Sequence, residues 1–124
     1  MITSQIIMLA TGIMTAEGWN PVSESLTYRN HNPGALRSSP FSIGSRDNFA
    51  LFLNDTVGFF ALCWDLAKKC KGETVTTLGP NSSLYDLIKV YTAETDPERL
   101  NNYVMVVERI ANVLRNTPLI HFIQ

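Results

Sequence analysis

A chain of 124 residues has the size of one domain and is long enough to bury a core of its own. With 45% hydrophobic residues it is expected to fold rather than stay disordered. Ten basic and eleven acidic side chains leave a net charge of −1, which removes the electrostatic case for nucleic acid as the main partner.

The first stretch, "MITSQIIMLATGIM", has no Lys or Arg ahead of its apolar run, is interrupted by Thr and Gln, and is too short to span a bilayer. Neither a signal peptide nor stable membrane insertion is expected. Ile6, Leu9, Ala10, Ile13 and Met14 follow helical spacing, Thr3 or Ser4 can cap the start, and Gly18 is a natural stop. The first helix is therefore predicted over residues 4–17.

Residues 19–48 are rich in turn formers: Asn20-Pro21, Asn32-Pro33-Gly34, Ser39-Pro40 and Gly44. They predict an irregular segment that leads into a small hairpin, with strands at 41–43 and 49–53. Asn32-Pro33-Gly34 suits a tight turn, Pro setting one φ and Gly permitting a positive one. A second helix should begin at Asp55, run through Phe59, Leu62, Cys63, Leu66 and Cys70, and end at Gly72. Lys68, Lys69 and Lys71 read as its solvated last turn. Cys63 and Cys70 share a helix face but stand roughly 10 Å apart along the axis, too far for a disulfide. They are expected to be reduced, buried packing residues, and no metal site is expected around them.

Ser83 with Asp86 resembles a capping box for a third helix over 84–92. Asp96 followed by Pro97 starts a fourth, with an apolar stripe at Leu100, Tyr103, Val104, Val107, Ile110, Ala111 and Leu114, ending by Pro118. The tail "LIHFIQ" should dock on the core. The expected fold is one domain over 1–124, α+β but predominantly helical, with a small β-hairpin lobe.

Glu17 is the residue most suited to chemistry. It closes a helix, where the dipole disfavours negative charge, and its sequence neighbours Ile13, Met14 and Trp19 are apolar. Partial burial there would raise its pKa and keep it protonated near neutral pH, as a general acid on a glycosidic bond requires. The alternative is an exposed glutamate at a helix end. Candidates for a second carboxylate are Glu24, Asp47, Glu94 and Asp96, with Glu24 ranked second to Glu17.

"EGW", then "TYRNHNPGALR", "FALF", "VYTAETDPE" and "NNY" in that order resemble the small phage-associated lysozyme-like proteins, which belong with the soluble lytic transglycosylases and goose-type lysozymes. The likeness covers roughly residues 6–110 and is sharpest from Arg29 to Arg37. It implies a lysozyme-like fold, no cofactor, and cleavage of the β-1,4 bond between N-acetylmuramic acid and N-acetylglucosamine in peptidoglycan. It also implies Glu17 as the catalytic acid, Gly34 in a cleft-lining motif and Tyr91 beside the acid. One departure is Ala35, which stands where the family motif has Asn.

Neutral sugars are held by amides, hydroxyls and flat apolar surfaces. Asn30, Asn32 and Ser23 can bond sugar hydroxyls and acetamido groups. Trp19, Phe49 and Phe52 can stack on a sugar or serve the core. Arg29 and Arg37 can reach muramyl or peptide carboxylates, or pin the loop to backbone carbonyls. His31 is expected to face solvent, and His121 to be a satisfied structural histidine.

The leading expectation is a phage or prophage muramidase, acting on peptidoglycan strands with a single acid, as a transglycosylase that forms 1,6-anhydro ends. Such a protein is made in the bacterial cytoplasm and reaches the wall through a holin or as a virion component, with virion proteins as partners. A second expectation is a lysozyme-like module that binds glycan or a virion partner without cleaving. A third, a plain helical interaction protein, leaves the 29–37 segment without a use.

Overall fold

The computed structural model describes residues 2–22 and 25–124. The predominantly helical α+β class holds: five α-helices, a terminal 3₁₀ turn and one two-stranded hairpin occur among the described residues. Helix α1 spans Ser4–Ala16, capped by Thr3, whose hydroxyl accepts from Ile6 N at 3.0 Å. Glu17 is its C-cap, and Gly18 follows at φ +80°, a left-handed conformation that only glycine adopts freely.

Helix α2 (Leu26–Arg29) lies within the stretch expected to be irregular. Ser25 caps it, its hydroxyl accepting from Tyr28 N. One turn of helix has too few residues to show a hydrophobic period, so the pattern could not announce it.

The hairpin pairs β1 (Gly44–Arg46) with β2 (Phe49–Leu51), so the expected first strand at 41–43 is displaced toward the turn. The reason is the two-residue loop Asp47-Asn48, with φ +53° and +68°. Two successive positive φ values mark a type I′ turn, which Asn and Asp tolerate, and this sets Arg46 opposite Phe49. Of the expected strand only Ile43 joins the pairing, donating N–H to Leu51 O at 2.8 Å.

Helix α3 (Asp55–Lys71) is capped by Asn54 and closed by Gly72 at φ +78°. Helix α4 (Leu84–Thr92) carries the full capping box between Ser83 and Asp86. Helix α5 (Pro97–Ala111) starts from the Asp96 cap as expected but stops early. Asn112 takes φ +56° there, and Glu108 draws the chain back by accepting from Arg115 N at 2.7 Å. Leu114, expected in the stripe, is 69% exposed. The 3₁₀ turn Leu119–Ile123 docks Leu119 and Phe122 into the core, whereas His121 is exposed rather than enclosed.

Helices α1 and α5 make the most extensive contact. Gly12 permits it: a Cβ there would stand 3.2 Å from Val107 Cα. Leu9, Ile13, Leu62, Leu66, Ile88, Val104 and Phe122 fill the main core, which α1, α3, α4, α5 and the tail share. A smaller core of Leu36, Ala50, Phe52 and Ala61 joins the hairpin to α3. Cys63 and Cys70 are free and buried; burial pushes their thiols up to about 11 and about 12, so both stay protonated and unreactive. No described helix is long and apolar enough to cross a membrane.

Candidate active site

Glu17 sits where α1 ends and α5 passes it. Tyr103 Oη donates to Glu17 Oε2 at 2.7 Å. Burial pushes the Glu17 carboxyl above its ordinary value of 4.5, and the Tyr103 hydrogen bond pulls partly the other way. The C-terminal end of the α1 dipole also works against a charge at this position. In the sequence Tyr103 stands only as an apolar member of the α5 stripe. The available signal was its hydroxyl, since a tyrosine buried in a stripe must find a partner for it.

Tyr91, at the end of α4, is the second neighbour. Burial, with the charges of Asp65 and Glu17 adding to it, drives its hydroxyl well above the ordinary tyrosine value. It remains a neutral donor and gives its hydrogen bond to Gly34 O. Glu17 with Tyr103 and Tyr91 with Gly34 thus form two hydrogen-bonded pairs, near enough for the Glu17 charge to act on the Tyr91 hydroxyl.

The Asn32-Pro33-Gly34 turn closes with Ala35 N donating to Asn32 O at 3.1 Å, as the sequence suggested. Its glycine serves a different purpose from the one expected. Gly34 does not adopt positive φ; a Cβ on it would lie 2.5 Å from Leu62 Cδ1 and 2.7 Å from the Tyr91 hydroxyl. The positive φ belongs to Ala35, at +52°. Asn tolerates that conformation better than Ala, so an Asn at this position has a backbone role to fill. Ala35→Asn should stabilise the protein by roughly 0.5–1 kcal/mol, read as a higher denaturant midpoint at unchanged slope.

The sequence offers Asn30 and Asn32 to sugar hydroxyls, but the structure commits them to the backbone. Asn32 is 1% exposed; its amide donates to Leu36 O and Ala50 O and accepts from Leu36 N. Asn30, 0% exposed, donates to Arg46 O at 3.1 Å, while its main-chain O accepts from Phe52 N. Both stitch the motif to the hairpin. Asn30 Oδ1 has no partner among the described residues.

Trp19 is half-buried with its ring edge-on to Tyr28, centroids 5.3 Å apart. The guanidinium carbon of the exposed Arg37 lies over the half-buried Phe49 ring, 4.5 Å from its centroid. Phe52 is core. Arg29 is exposed. His31 is partly exposed and pairs with Asp55 at 2.7 Å, seating the motif on the start of α3. Ser23 lies outside the described residues.

Of the candidate second carboxylates, Glu24 also lies outside the described residues. Asp47 is exposed in the hairpin turn, and Asp96 caps α5 through Arg99 N. Glu94 accepts from Thr95 N and Asp96 N, yet it also walls a hollow of about 340 Å³ with Ala16, Thr92, Asn102 and Tyr103. A second hollow, of about 320 Å³, is walled by Ala35, Arg37, Asp65, Lys69, Thr76 and Tyr91. Thr92 and Tyr91, adjacent in sequence, border one hollow each, and the first adjoins the tyrosine that holds Glu17.

Lys69 is not part of a solvated helix end. Its side chain is 16% exposed and bonds Asp65 at 2.7 Å. The sequence offered only an i, i+4 spacing for this pair, a spacing common on exposed helix faces.

The fold and site together define a helical α+β domain with one poised, partly buried glutamate. Compared with known proteins, the chain matches no family model, no curated protein and no solved structure.

Proposed function

We propose that this protein is a peptidoglycan-cleaving muramidase with a lysozyme-like fold, phage or prophage encoded, in which Glu17 is the single catalytic acid. The observation that carries this reading is the Glu17 carboxyl, partly buried at the end of α1 and held by the Tyr103 hydroxyl. Its raised pKa suits a group that must arrive protonated at the glycosidic oxygen.

Glu17 donates its proton to the leaving oxygen as the C1–O bond breaks. The substrate's own acetamido oxygen supports the positive anomeric centre. The Glu17 carboxylate then takes the proton of the muramyl C6 hydroxyl, whose oxygen closes onto C1 as a 1,6-anhydro ring. Glutamate is regenerated protonated, and the cycle balances without a second carboxylate. Tyr103 holds the acid in one orientation throughout, and the hollow that Tyr103 itself walls offers room for a sugar residue. Release to the wall through a holin or from a virion belongs to the same proposal.

Digestion of purified peptidoglycan, with the ends read by mass, tests the reading. Anhydromuramyl ends are expected. Reducing ends would replace transglycosylation by hydrolysis, and no new ends would favour the second reading, a glycan-binding or virion module without catalysis. That second reading draws on Ala35, which stands where the resembled motif has Asn.

The pH profile provides a separate check. A general acid works only while protonated, so the rate should fall as pH rises through the Glu17 pKa. The Tyr103 hydrogen bond lowers that pKa. Tyr103→Phe should therefore move the alkaline limb to higher pH, measured as a displaced midpoint in rate against pH. A limb that stays in place would detach Glu17 from the acid's role.

A further inference from the structure

The outer face of α3 carries a pattern that neither the core nor the acid uses. Phe60, Trp64, Lys68 and Lys71 follow one another at spacings of four, four and three, so they form one stripe about 16 Å long. Phe60 is 45% exposed, at a position where a solvated helix face takes a polar residue. Phe41, from the loop ahead of the hairpin, packs on both rings. Its centroid lies 5.1 Å from that of Phe60 and 5.2 Å from that of Trp64, each pair edge to face. Two residues beyond Phe41, Ile43 is 63% exposed. Single apolar side chains on a surface need no explanation, but three aromatics in mutual contact make a patch.

The charges beside this patch have one sign. Lys68 Nζ lies 4.7 Å from the centroid of the Trp64 ring, and Lys71 is exposed one turn further on. The stripe holds no carboxylate. Asp65, next to Trp64, stands about 100° around the helix and is bonded to Lys69 at 2.7 Å. On a chain of net charge −1, the outer face of α3 is thus aromatic along its middle and positive at its end.

That combination complements a surface that is apolar beneath and negative at its border. Aromatic rings settle at the headgroup level of a bilayer, and lysine stems lie along apolar surface while their ammonium groups meet phosphates. A glycan strand is matched less well, because a sugar stacks on an open ring face and Lys68 covers one face of the indole. We infer that this stripe docks the protein on the surface of an anionic lipid bilayer, reversibly and with no helix inserted across it. Phe60 and Phe41 enter the headgroup boundary, and Lys68 and Lys71 lie against lipid phosphates. This goes beyond the muramidase reading and does not depend on it.

The test sediments the whole chain with vesicles of phosphatidylcholine, with and without phosphatidylglycerol as about one third of the lipid. Binding is expected only where the anionic lipid is present, and it should fall steeply between low salt and about 1 M salt. Lys68→Gln combined with Lys71→Gln should weaken the partition about 20-fold, each lysine near a negative surface being worth about fivefold. Phe60→Ser should weaken it about fivefold and leave thermal melting close to that of the wild type, since the side chain is already half in water. Tryptophan emission should move to shorter wavelength on binding, and Trp64→Phe should remove that movement while the protein still binds.

Equal binding to neutral and anionic vesicles would overturn the inference, as would binding to neither. An emission change that survives Trp64→Phe would place another face on the lipid and overturn it too. Binding to purified peptidoglycan that Phe60→Ser removes, with vesicles left unbound, would give the stripe to glycan instead.

Discussion

Glu17→Gln is expected to abolish cleavage, with a loss of about 10²–10⁴-fold, the usual contribution of a positioned general acid. Gln keeps the shape of the side chain and an oxygen to accept from Tyr103, so the fold and the hydrogen bond at Oε2 should survive. What it lacks is a proton to give. Retained activity would mean that another group is the acid.

The same substitution should raise stability at neutral pH. Burial lifts the Glu17 carboxyl above 4.5, so the folded protein holds this proton more tightly than the unfolded chain does. Stability contributed by the group is fully present below the unfolded value near 4.5 and declines as pH rises through the folded one. At neutral pH the wild type bears that loss and the Gln variant does not. Denaturant midpoints should therefore favour Glu17→Gln at pH 7 and converge with the wild type as the pH falls below the ordinary carboxylate value. A raised stability with lost activity is the signature of a group placed for chemistry rather than for folding.

Gly58→Ala should be the most damaging change for the fold. A Cβ on Gly58 would stand 1.8 Å from His31 O, 3.0 Å from His31 C and 3.0 Å from Pro33 Cδ. The first obstacle is a backbone carbonyl, which cannot swing aside as a side chain can. His31 is itself held at φ +51° and tied to Asp55, so the segment has little freedom to retreat. The expected cost is at least about 3 kcal/mol, the upper part of the range for overpacking, and a melting point lower by more than about 10 °C. Gly79→Ala is the control: a Cβ there meets nothing within 4 Å, and the change should stay within about 0.5 kcal/mol. Equal melting points for the two variants would mean that α3 and the 29–37 segment are not pressed together as described.

The consequence reaches the site. Moving the segment away from α3 displaces Gly34, which accepts the Tyr91 hydrogen bond and packs on Leu62. Gly58→Ala should therefore lose activity even at temperatures where it stays folded.

Local chemistry made much of this fold legible in advance. The helix at 84–92 carries its own start signal in the Ser83–Asp86 box, because capping is settled within four residues of chain. The Asp96-Pro97 start of α5 was readable for the same reason, while its end was not. The stop at Asn112 depends on Arg115 folding back onto Glu108, seven residues away in sequence. The hairpin's existence followed from the turn formers around it, but its register came from a type I′ turn built of Asp and Asn rather than glycine.

By itself the sequence determined the helical α+β class, the reduced and buried cysteines, and an acid placed at the end of the first helix. These rest on period, spacing and caps, all short-range properties of the chain. Only the tertiary structure decided what surrounds that acid. Tyr103 reaches Glu17 across 86 positions, and Tyr91 reaches Gly34 across 57. It also withdrew Asn30 and Asn32 into the backbone and turned a lysine from a plain helix end into the wall of a hollow. The physical reason is that a side chain's pKa and its free hydrogen-bonding capacity depend on what packs against it. Those neighbours come from distant segments brought together by burial of the core.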